Sequence, residues 1–593
     1  MLNKINISSR ELILIVYVVL AMVTLAVFWQ VSQYDFISLD DAVYVKDNTH
    51  IQSGITLERI RWAFSTTYAE FWHPLTWLSL MLDYQLFGLN AGGYHMTNLI
   101  LHILSTLLLF WFFNRMTGAI WRSAIVAAFF ALHPLHVESI AWIAERKDVL
   151  SAFFWMLTLC LYVYYTEKPV IRRYLLVLFS FICALLSKPM VITLPVIMIL
   201  LDYWPLKRFE SKKDNLIIWQ LKEKVPLFIL SAVFSVITLF AQPSVKGFPL
   251  SSRLANAPVA FMTYLEKTFW PHNLAVFYPF PAQIPAWQVI GASLLIIAIT
   301  SVVIAMVKRL PYLFVGWFWY AIIILPVIGI IQVGNHSMAD RYHYISSIGI
   351  AVMLAWGLPS LIKSAKAGEK YLFLSGIIFM AIMAVLTWQQ CGYWKNNIKI
   401  FSHALQVTKD NYLAHNSFGI ALSYAGENEK AIEHCNRAIR IKPDYASAYI
   451  GRGFAYYNTG RYEQALENLN IANRLQPNNV NTYLNKGITY NKLRHFHMAI
   501  ENYNKAIQIQ PERADFYNSR GYSYYDLNQY HNAIEDYNKA INLKPDYVDA
   551  YRYRGVAYFK QGNKELGCRD VQKACELGNC KLLEEAKNKG YCR

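Results

Sequence analysis

Long apolar stretches recur through the first two thirds of this 593-residue chain and limit the folds that it can adopt. Most of them approach the roughly 20 residues that an α-helix needs to cross a bilayer core about 30 Å thick. The composition agrees, since 55% of the residues are hydrophobic and only 16% are charged. One soluble core does not account for this pattern. We expect about eleven membrane-spanning helices, near residues 11–31, 93–114, 119–136, 148–166, 172–187, 189–204, 225–242, 287–307, 311–332, 344–362 and 371–390.

Lys and Arg residues fall mainly in alternate connections between these stretches. Such groups resist translocation, so their excess marks the cytoplasmic side of a membrane protein. With the N-terminus in the cytoplasm, every inner connection is basic, namely 115–122, 168–173, 207–224, 308–309 and 363–370. The outer connections, which include a long first loop at 32–92, hold more His, Asp, Glu, Trp and Pro. The net charge of +17 is therefore attributed to topology and not to nucleic-acid binding.

A period of 34 residues runs through the last third of the chain. Its markers are prolines and glycines, namely Pro443, Pro477, Pro511, Pro545, Gly419, Gly453, Gly487, Gly521 and Gly555. This is the period of tetratricopeptide repeats, in which each pair of helices buries its apolar face against its neighbours. We predict about five such repeats over 411–593. Arrays of this kind usually bind peptides or proteins, and a passive spacer or a contact between copies is the alternative.

Together the two patterns predict an all-α protein. A polytopic membrane helix bundle at 1–392 is followed by a linker at 393–410 and a tetratricopeptide α-solenoid. The end of the solenoid is rich in cysteine, at Cys568, Cys575, Cys580 and Cys592. With an odd number of spans this region lies outside the cytoplasm, where disulfides persist, so one or two bridges are expected in a C-terminal cap. A zinc site is less favoured, because the spacings are not of CxxC type and no His lies within the cluster.

Chemistry is expected where ionisable residues meet the membrane, because charges there are expensive and are usually kept for function. The first candidates are Asp40 and Asp41, which follow the first span. Neighbouring carboxylates raise each other's pKa, and one of them can serve as a general base or bind a cation. The alternative is that they only mark the exit of the span into water.

A second group of ionisable residues lies between two apolar stretches, at 133–148. Arg146 and Lys147 could hold a phosphate there, while Glu138 and Asp148 could bind a sugar or an acceptor. A mutually neutralising network of salt bridges is the alternative. His133 and His136 flank a proline and are interpreted as hydrogen-bonding groups in preference to metal ligands.

A third group enters a late span from the same side, at Asp340, Arg341 and Tyr342. Arg341 could pair with a lipid phosphate while Asp340 orients it, or the group could only fix the orientation of the helix. His73 lies in an aromatic-rich part of the first loop, where Trp and Tyr are typical of a membrane interface.

The order of these motifs resembles the transmembrane and tetratricopeptide-repeat-containing O-mannosyltransferase family. The resemblance runs over nearly the whole chain and ends in the repeats. It rests on Asp40-Asp41, Trp72-His73-Pro74-Leu75-Thr76-Trp77, Tyr94-His95 with Asn98 and His102, His133-Pro134-Leu135-His136-Val137-Glu138, Glu145-Arg146-Lys147-Asp148 and Ala339-Asp340-Arg341-Tyr342.

The resemblance implies a C-type glycosyltransferase fold, in which a multispanning enzyme moves a sugar from a polyprenyl phosphate to a protein hydroxyl outside the cytoplasm. An acidic residue of the first external loop is commonly the base in such enzymes, and Asp40 and Asp41 stand in that place. A single displacement would invert the anomeric carbon. The leaving phosphate would be stabilised by Arg146, Lys147 and Arg341. The sugar or acceptor would be bound by His73, His133, His136, Glu138, Asp148, Asp340 and Tyr342.

The expected partners are the lipid-linked sugar, most often mannose in this family, an acceptor protein held by the repeats, and membrane lipids. The sequence assigns no cofactor and leaves a divalent cation, Mg²⁺ or Mn²⁺, as an alternative, because paired acids suit either a base or a ligand role. Two other functions fit the same layout, namely a non-enzymatic membrane adaptor that presents the repeats and a transporter of lipid-linked sugar.

The compact array of repeats and a C-terminus at 589–593 without a retention signal favour a bacterial inner membrane. The N-terminus would then be cytoplasmic and the repeats periplasmic. In a eukaryotic cell the expected site is the membrane of the endoplasmic reticulum.

Overall fold

The structure is a computed structural model that describes residues 8–211, 216–241, 248–331, 334–361 and 365–592. These residues form helices and connecting turns, with one isolated β-bridge between Pro279 and His336 and no strand within the described ranges. The all-α prediction is therefore confirmed. The chain divides into two compact units, Met1–Lys409 and Asp410–Arg593.

The first unit, called the membrane unit below, contains long apolar helices joined by short ones. Its α-helices in chain order are α1 (Ser9–Phe28), α2 (Thr49–Gln52), α3 (Leu57–Ser65), α4 (Pro74–Phe87), α5 (Ala91–Thr117), α6 (Ile120–Leu132), α7 (Val137–Ala141), α8 (Arg146–Glu167), α9 (Ile171–Ser187), α10 (Leu194–Tyr203), α11 (Arg208–Ser211), α12 (Leu216–Ala241), α13 (Leu250–Phe269), α14 (Ala286–Ala305), α15 (Pro311–Ile324), α16 (Ser347–Leu361), α17 (Ala365–Tyr393) and α18 (Asn397–Val407).

Six helical segments of the described residues are long and apolar enough to cross a membrane. They are Ser9–Gln33, Ala91–Thr117, Ile143–Glu167, Ile218–Ala241, Ala286–Ala305 and Leu374–Tyr393. A seventh would be the pair Ile120–Leu132 and Pro134–Ala141, which is bent by 53°. Shorter apolar helices cover Pro189–Tyr203, Pro311–Val327 and Ser347–Ser360. The chain is a multi-pass membrane protein, but a count of about eleven spans is not confirmed, because several predicted spans fold as short or bent helices.

Parts of some predicted features lie outside the described residues. They are 212–215 of the inner connection 207–224, residue 242 of the span 225–242, residue 332 of the span 311–332, and 362–364 where the span 344–362 meets the connection 363–370.

The break between α6 and α8 places the predicted 133–148 group inside the unit. Pro134 lacks an amide hydrogen, so the helix that ends at Leu132 does not continue through it, and a short turn at Pro134–His136 follows. The chain then forms α7, a second turn at Ile143–Glu145 and the buried start of α8. The ionisable residues of this stretch are therefore carried on the two short turns, on α7 and on the first turn of α8.

The predicted linker 393–410 contains α18, and this helix belongs to the membrane unit. The Asn397 side-chain oxygen accepts a hydrogen bond from the Ser38 amide at 2.7 Å, which ties α18 to the first loop. His403 stacks on Tyr393 and bonds to the carbonyl of Leu274 at 3.0 Å.

The second unit, called the repeat unit below, is a series of helix pairs. Its helices are α19 (Tyr412–Tyr424), α20 (Asn428–Ile441), α21 (Ala446–Asn458), α22 (Tyr462–Leu475), α23 (Val480–Lys492), α24 (Phe496–Ile509), α25 (Ala514–Asp526), α26 (Tyr530–Leu543), α27 (Val548–Lys560), α28 (Lys564–Glu576) and α29 (Lys581–Asn588). Small residues recur where the helices meet, and the fully buried ones include Ala431, Ala438, Ala465, Ala472, Ala499, Ala506, Ala533 and Ala540.

The C-terminal cap is cross-linked by two disulfides. Cys568 pairs with Cys592, and Cys575 pairs with Cys580. The bridges join α28 to the segments on either side of α29, in line with the expected stapling of the cap.

Candidate active site

Asp41 is fully buried at the start of a short helical turn, Ala42–Lys46, in the first loop. One carboxylate oxygen accepts the Ile37 amide at 2.8 Å, and the other accepts the Ala144 amide at 2.9 Å. Burial raises the pKa of Asp41 to about 7, although these two backbone hydrogen bonds oppose the rise. Asp41 therefore anchors the first loop to the turn before α8, and both of its oxygens are occupied.

Asp40 differs from its neighbour in having an unoccupied carboxylate. Its side chain is half-buried, and its carboxylate makes no hydrogen bond or ion pair within the described ranges. Burial raises the pKa of Asp40, while the positive charges of Lys147 and Arg341 oppose that rise. Of the two predicted bases, Asp40 is thus the one whose oxygens remain available to a substrate.

Glu145 lies at the centre of a cluster of three cations. Its two oxygens lie 3.2 Å from Lys147 Nζ, 3.7 Å from Lys188 Nζ and 3.3 Å from Arg341 Nε. Two further carboxylates complete the cluster, since Lys188 pairs with Asp148 and Arg341 pairs with Glu138. The structure thus brings the second and third predicted groups together.

Arg341 lies at the edge of this cluster, and not all of its hydrogen-bond donors have partners among the described residues. Its amide donates to Glu138 at 3.0 Å, and its guanidinium lies 5.4 Å from the centre of the Trp142 ring. Nη1 and Nε face Glu138 and Glu145, while Nη2 has no partner among the described residues. A guanidinium fixed in this way can still donate to a phosphate oxygen.

Arg146 does not join the cluster. It is fully buried, pairs with Asp83 at 2.6 Å and donates to Ser79 Oγ at 2.7 Å and to the Tyr94 carbonyl at 2.9 Å. Its Nε also donates to Asn98 at 2.5 Å. Most of its donors make hydrogen bonds inside the bundle. The structure therefore favours a structural role for Arg146 over the predicted phosphate contact.

The remaining predicted residues, Asp340, His73 and Tyr342, each contact an aromatic side chain. Asp340 accepts the Tyr278 hydroxyl at 2.8 and 3.1 Å, and its burial raises its pKa. His73 stacks on Tyr44, whose ring in turn lies 4.8 Å from Lys147 Nζ. Tyr342 contacts His336 at 3.1 Å.

His133 and His136 form a buried group with His343. Both rings make hydrogen bonds: His133 bonds to the Thr268 carbonyl and accepts from the Leu135 amide, and His136 bonds to the Phe130 carbonyl.

A small cleft of about 50 Å³ opens beside the cluster. Its polar lining includes Asp148, Lys188, Arg341 and Tyr342. Its walls are mostly apolar and include Trp155, Met190, Val191, Ile323, Val327 and Ile345. Lys188 and Arg341 in this lining are cations of the kind that can pair with a phosphate oxygen.

Two residues of the cluster carried no predicted role. Glu145 was part of a predicted motif, but its position between three cations depends on tertiary contacts. Lys188 follows α9 and directly precedes Pro189. Its only signal in the sequence is that it is a single charge at the boundary between two apolar stretches.

The repeat unit matches models of the tetratricopeptide repeat family. One described as TPR repeat matches residues 421–460, 497–528 and 521–562, and one described as tetratricopeptide repeat matches 446–479. Among solved structures, the TPR protein YrrB covers 32% of this chain and 99% of its own, with 21% identity and a TM-score of 0.27.

Curated relatives match a longer part of the chain. Human protein O-mannosyl-transferase TMTC1 is 23% identical over 464 residues, which are 68% of this chain and 52% of the relative. Protein O-mannosyl-transferase F38B6.6 of Caenorhabditis elegans is 23% identical over 444 residues, which are 68% of this chain and 59% of the relative. The chain is a homologue of TMTC-type O-mannosyl-transferases. The predicted resemblance is confirmed, and the chain spans about half the length of the curated relatives that it matches.

Proposed function

We propose that this protein is a membrane glycosyltransferase that transfers mannose from a polyprenyl phosphate to Ser or Thr hydroxyls of proteins outside the cytoplasm. The observation that carries the proposal is the cleft, whose lining combines the cations Lys188 and Arg341 with apolar side chains. The names of the relatives, which are protein O-mannosyl-transferases, support the choice of sugar and acceptor class.

Asp40 is the proposed general base. Its carboxylate takes the proton of the acceptor hydroxyl, and the hydroxyl oxygen then attacks the anomeric carbon. The new carbon–oxygen bond forms as the bond from that carbon to the lipid phosphate breaks, and the electron pair leaves with the phosphate. Attack opposite to the leaving group inverts the anomeric configuration.

Lys188, Arg341 and Lys147 are the proposed phosphate stabilisers. Charge builds on the phosphate as the glycosidic bond breaks, and fixed cations stabilise that charge without reorganisation. The carboxylates of Glu138, Glu145 and Asp148 hold these cations in place before the substrate arrives. Arg146 is left out of this set because of its buried contacts.

The repeats are proposed to recruit the acceptor protein. Tetratricopeptide superhelices present an extended concave surface of the kind that binds peptides. The localisation proposed is a bacterial inner membrane, with a cytoplasmic N-terminus and both Asp40 and the repeats on the other side.

Transfer of radiolabelled mannose from polyprenyl-phosphate mannose to a Ser/Thr peptide tests the proposal. The full-length protein in lipid nanodiscs is compared with Asp40→Asn and with Asp47→Asn, an exposed residue of the same loop. Loss of a general base should lower the rate about 10²- to 10⁴-fold, whereas the control should transfer normally.

Equal rates in Asp40→Asn and in the unchanged protein would remove Asp40 from the mechanism. Absence of transfer in the unchanged protein, combined with capture of partners by the repeats, would favour a membrane adaptor. Movement of the intact lipid-linked sugar across the bilayer would favour a transporter. Addition of Mg²⁺ or Mn²⁺ to the assay tests whether the reaction uses a divalent cation.

A further inference from the structure

Three buried histidines form a group behind the candidate active site. His133 and His136 lie at the bend between α6 and α7, and His343 lies in the turn Asp340–His343. All three side chains are fully buried. One ring nitrogen from each lies within 4.8 Å of the others, and we call this group the histidine trio.

The hydrogen bonds of the trio fix which nitrogen of each ring carries the proton. His136 Nδ1 faces the Phe130 carbonyl at 2.7 Å, and His133 Nε2 faces the Thr268 carbonyl at 2.9 Å, so both nitrogens must donate. Thr268 uses its own hydroxyl proton on the Tyr264 carbonyl at 2.7 Å. His343 Nε2, 2.8 Å from that hydroxyl, must therefore donate as well.

Each neutral ring is consequently left with a lone pair on its second nitrogen. His136 Nε2 and His343 Nδ1 are buried and have no hydrogen-bond partner among the described residues. His133 Nδ1 accepts a hydrogen bond from the Leu135 amide at 3.2 Å, so a metal ion at this nitrogen would have to replace that bond. A buried acceptor without a hydrogen-bond partner destabilises the fold. The space among the three rings therefore suits a group that accepts electron pairs from these nitrogens.

We propose that the histidine trio binds a transition-metal ion of the Zn²⁺ type. Neutral imidazole is a preferred ligand of such ions, and ligating histidines usually donate their other N–H to a carbonyl or a similar group. Ring centres 5.5, 5.8 and 6.1 Å apart surround a common point. Nitrogens bound to zinc at 2.0–2.1 Å are roughly 3.3 Å apart, so the trio needs to close by at most about 1.5 Å.

The ion would act as a clamp between two segments of the active site. His136 precedes Glu138 by two residues, and His343 follows Arg341 by two, while Glu138 and Arg341 form an ion pair. A metal bound to the trio joins the same segments from behind. The role assigned to the trio is thus positioning, and it is separate from the sugar transfer proposed above.

Metal content of the full-length protein tests the proposal without any transferase assay. The protein is purified without a histidine tag, dialysed against Zn²⁺ and then against metal-free buffer, and analysed by mass spectrometry. We expect about one zinc per chain. His343→Ala should lose at least nine tenths of it, whereas His272→Ala, which changes an exposed histidine of the same unit, should retain it.

Thr268→Val provides a variant that keeps all three ligands and nearly the same volume. It removes the hydroxyl to which His343 donates, and a change of this kind lowers metal affinity about 10- to 100-fold. Competition with a chromophoric chelator measures that loss, and Co²⁺ in place of zinc should give the strong visible absorption of a four-coordinate site.

The proposal is overturned if the unchanged protein holds no zinc after dialysis, which would leave an ordered water as the partner of the trio. It is also overturned if zinc content and affinity are the same in Thr268→Val, His343→Ala and the unchanged protein. None of these results depends on whether the protein transfers a sugar.

Discussion

Arg146 and Arg341 show how two buried arginines of one unit differ in the contacts that they make. The Arg146–Asp83 pair is almost entirely closed from solvent, with exposures of 0% and 3%. Arg341 keeps 14% of its side chain exposed and borders the cleft. The first arrangement stabilises the bundle, and the second remains open to a ligand.

Arg146→Met tests the structural role of this pair. The change leaves Asp83 buried without its partner, which typically costs about 3–5 kcal/mol. We expect a large fall in the melting temperature of the protein in detergent. Arg115→Met breaks the exposed pair with Glu167, with exposures of 55% and 36%, and should cost at most about 1 kcal/mol. Equal melting of the two variants would contradict the assignment.

Asp41→Asn tests whether burial raises the pKa of Asp41 in the folded protein. An unfolded aspartate has a pKa of about 3.9, whereas burial raises the pKa of Asp41 to about 7. The folded protein therefore holds this proton more tightly, and the stability that results is present below about pH 4 and lost as the pH rises through about 7. The Asn variant lacks this titration, so its melting temperature should fall less over that range. A slope equal to that of the unchanged protein and of Asp47→Asn would refute the prediction.

The sequence alone identifies most of the residues near the site but not their partners. Asp40, Glu138, Lys147 and Asp148 stand out as charges beside apolar stretches. Neighbouring side chains on an α-helix point about 100° apart, so Arg146 turns away from the side that Lys147 faces. That direction depends on how α8 packs, which one-dimensional patterns do not contain.

At the scale of the elements, α15 and α16 meet through two glycines. A Cβ added at Gly349 would lie 2.2 Å from the Gly316 carbonyl oxygen, and one added at Gly316 would lie 2.5 Å from the Gly349 carbonyl oxygen. Small residues at such positions allow the backbones of membrane helices to approach closely. The contact holds Ile323 and Ile345, which line the cleft, on adjoining segments.

Gly349→Ala is expected to separate these two helices. The added methyl group cannot fit at 2.2 Å from a backbone oxygen, and overpacking of this kind costs about 1–3 kcal/mol or more. Gly291→Ala in α14 is the matched control, because nothing lies within 4 Å of its added Cβ. Melting temperature and donor binding should fall in the first variant only. Unchanged values in Gly349→Ala would show that the contact is not required.

The helices themselves follow from hydrophobic pattern, whereas their breaks do not. The predicted span 93–114 matches α5, and the 34-residue period predicts the helix pairs of the repeat unit. The predicted span 119–136 instead ends at Leu132, because Pro134 interrupts it. Hydropathy averaged over a window does not register such a break, but Pro134 marks it in the sequence, and the break is what places Glu138 at the site.

At the scale of the whole molecule, the proposed reaction requires Asp40 and the repeats to face the same side of the membrane. Lys and Arg in the connections predicted to be cytoplasmic favour that arrangement for an odd number of spans. The disulfides Cys568–Cys592 and Cys575–Cys580 also favour it, since such bridges persist in oxidising compartments. These two arguments are independent, because one rests on charge and the other on redox chemistry.

Single cysteines placed in exposed positions test this topology with a membrane-impermeant maleimide on intact cells whose outer barrier is permeable to the reagent. Ser53→Cys in the first loop and Glu467→Cys in the repeats should be labelled without lysis, whereas Lys308→Cys should react only after lysis. The background is low, because Cys160, Cys183, Cys391 and Cys435 are buried and the other four cysteines are bridged. Labelling of Ser53→Cys but not of Glu467→Cys in intact cells would put the repeats in the cytoplasm. A cytoplasmic array could not deliver an acceptor to Asp40, and recruitment by the repeats would have to be abandoned even if transfer itself were observed.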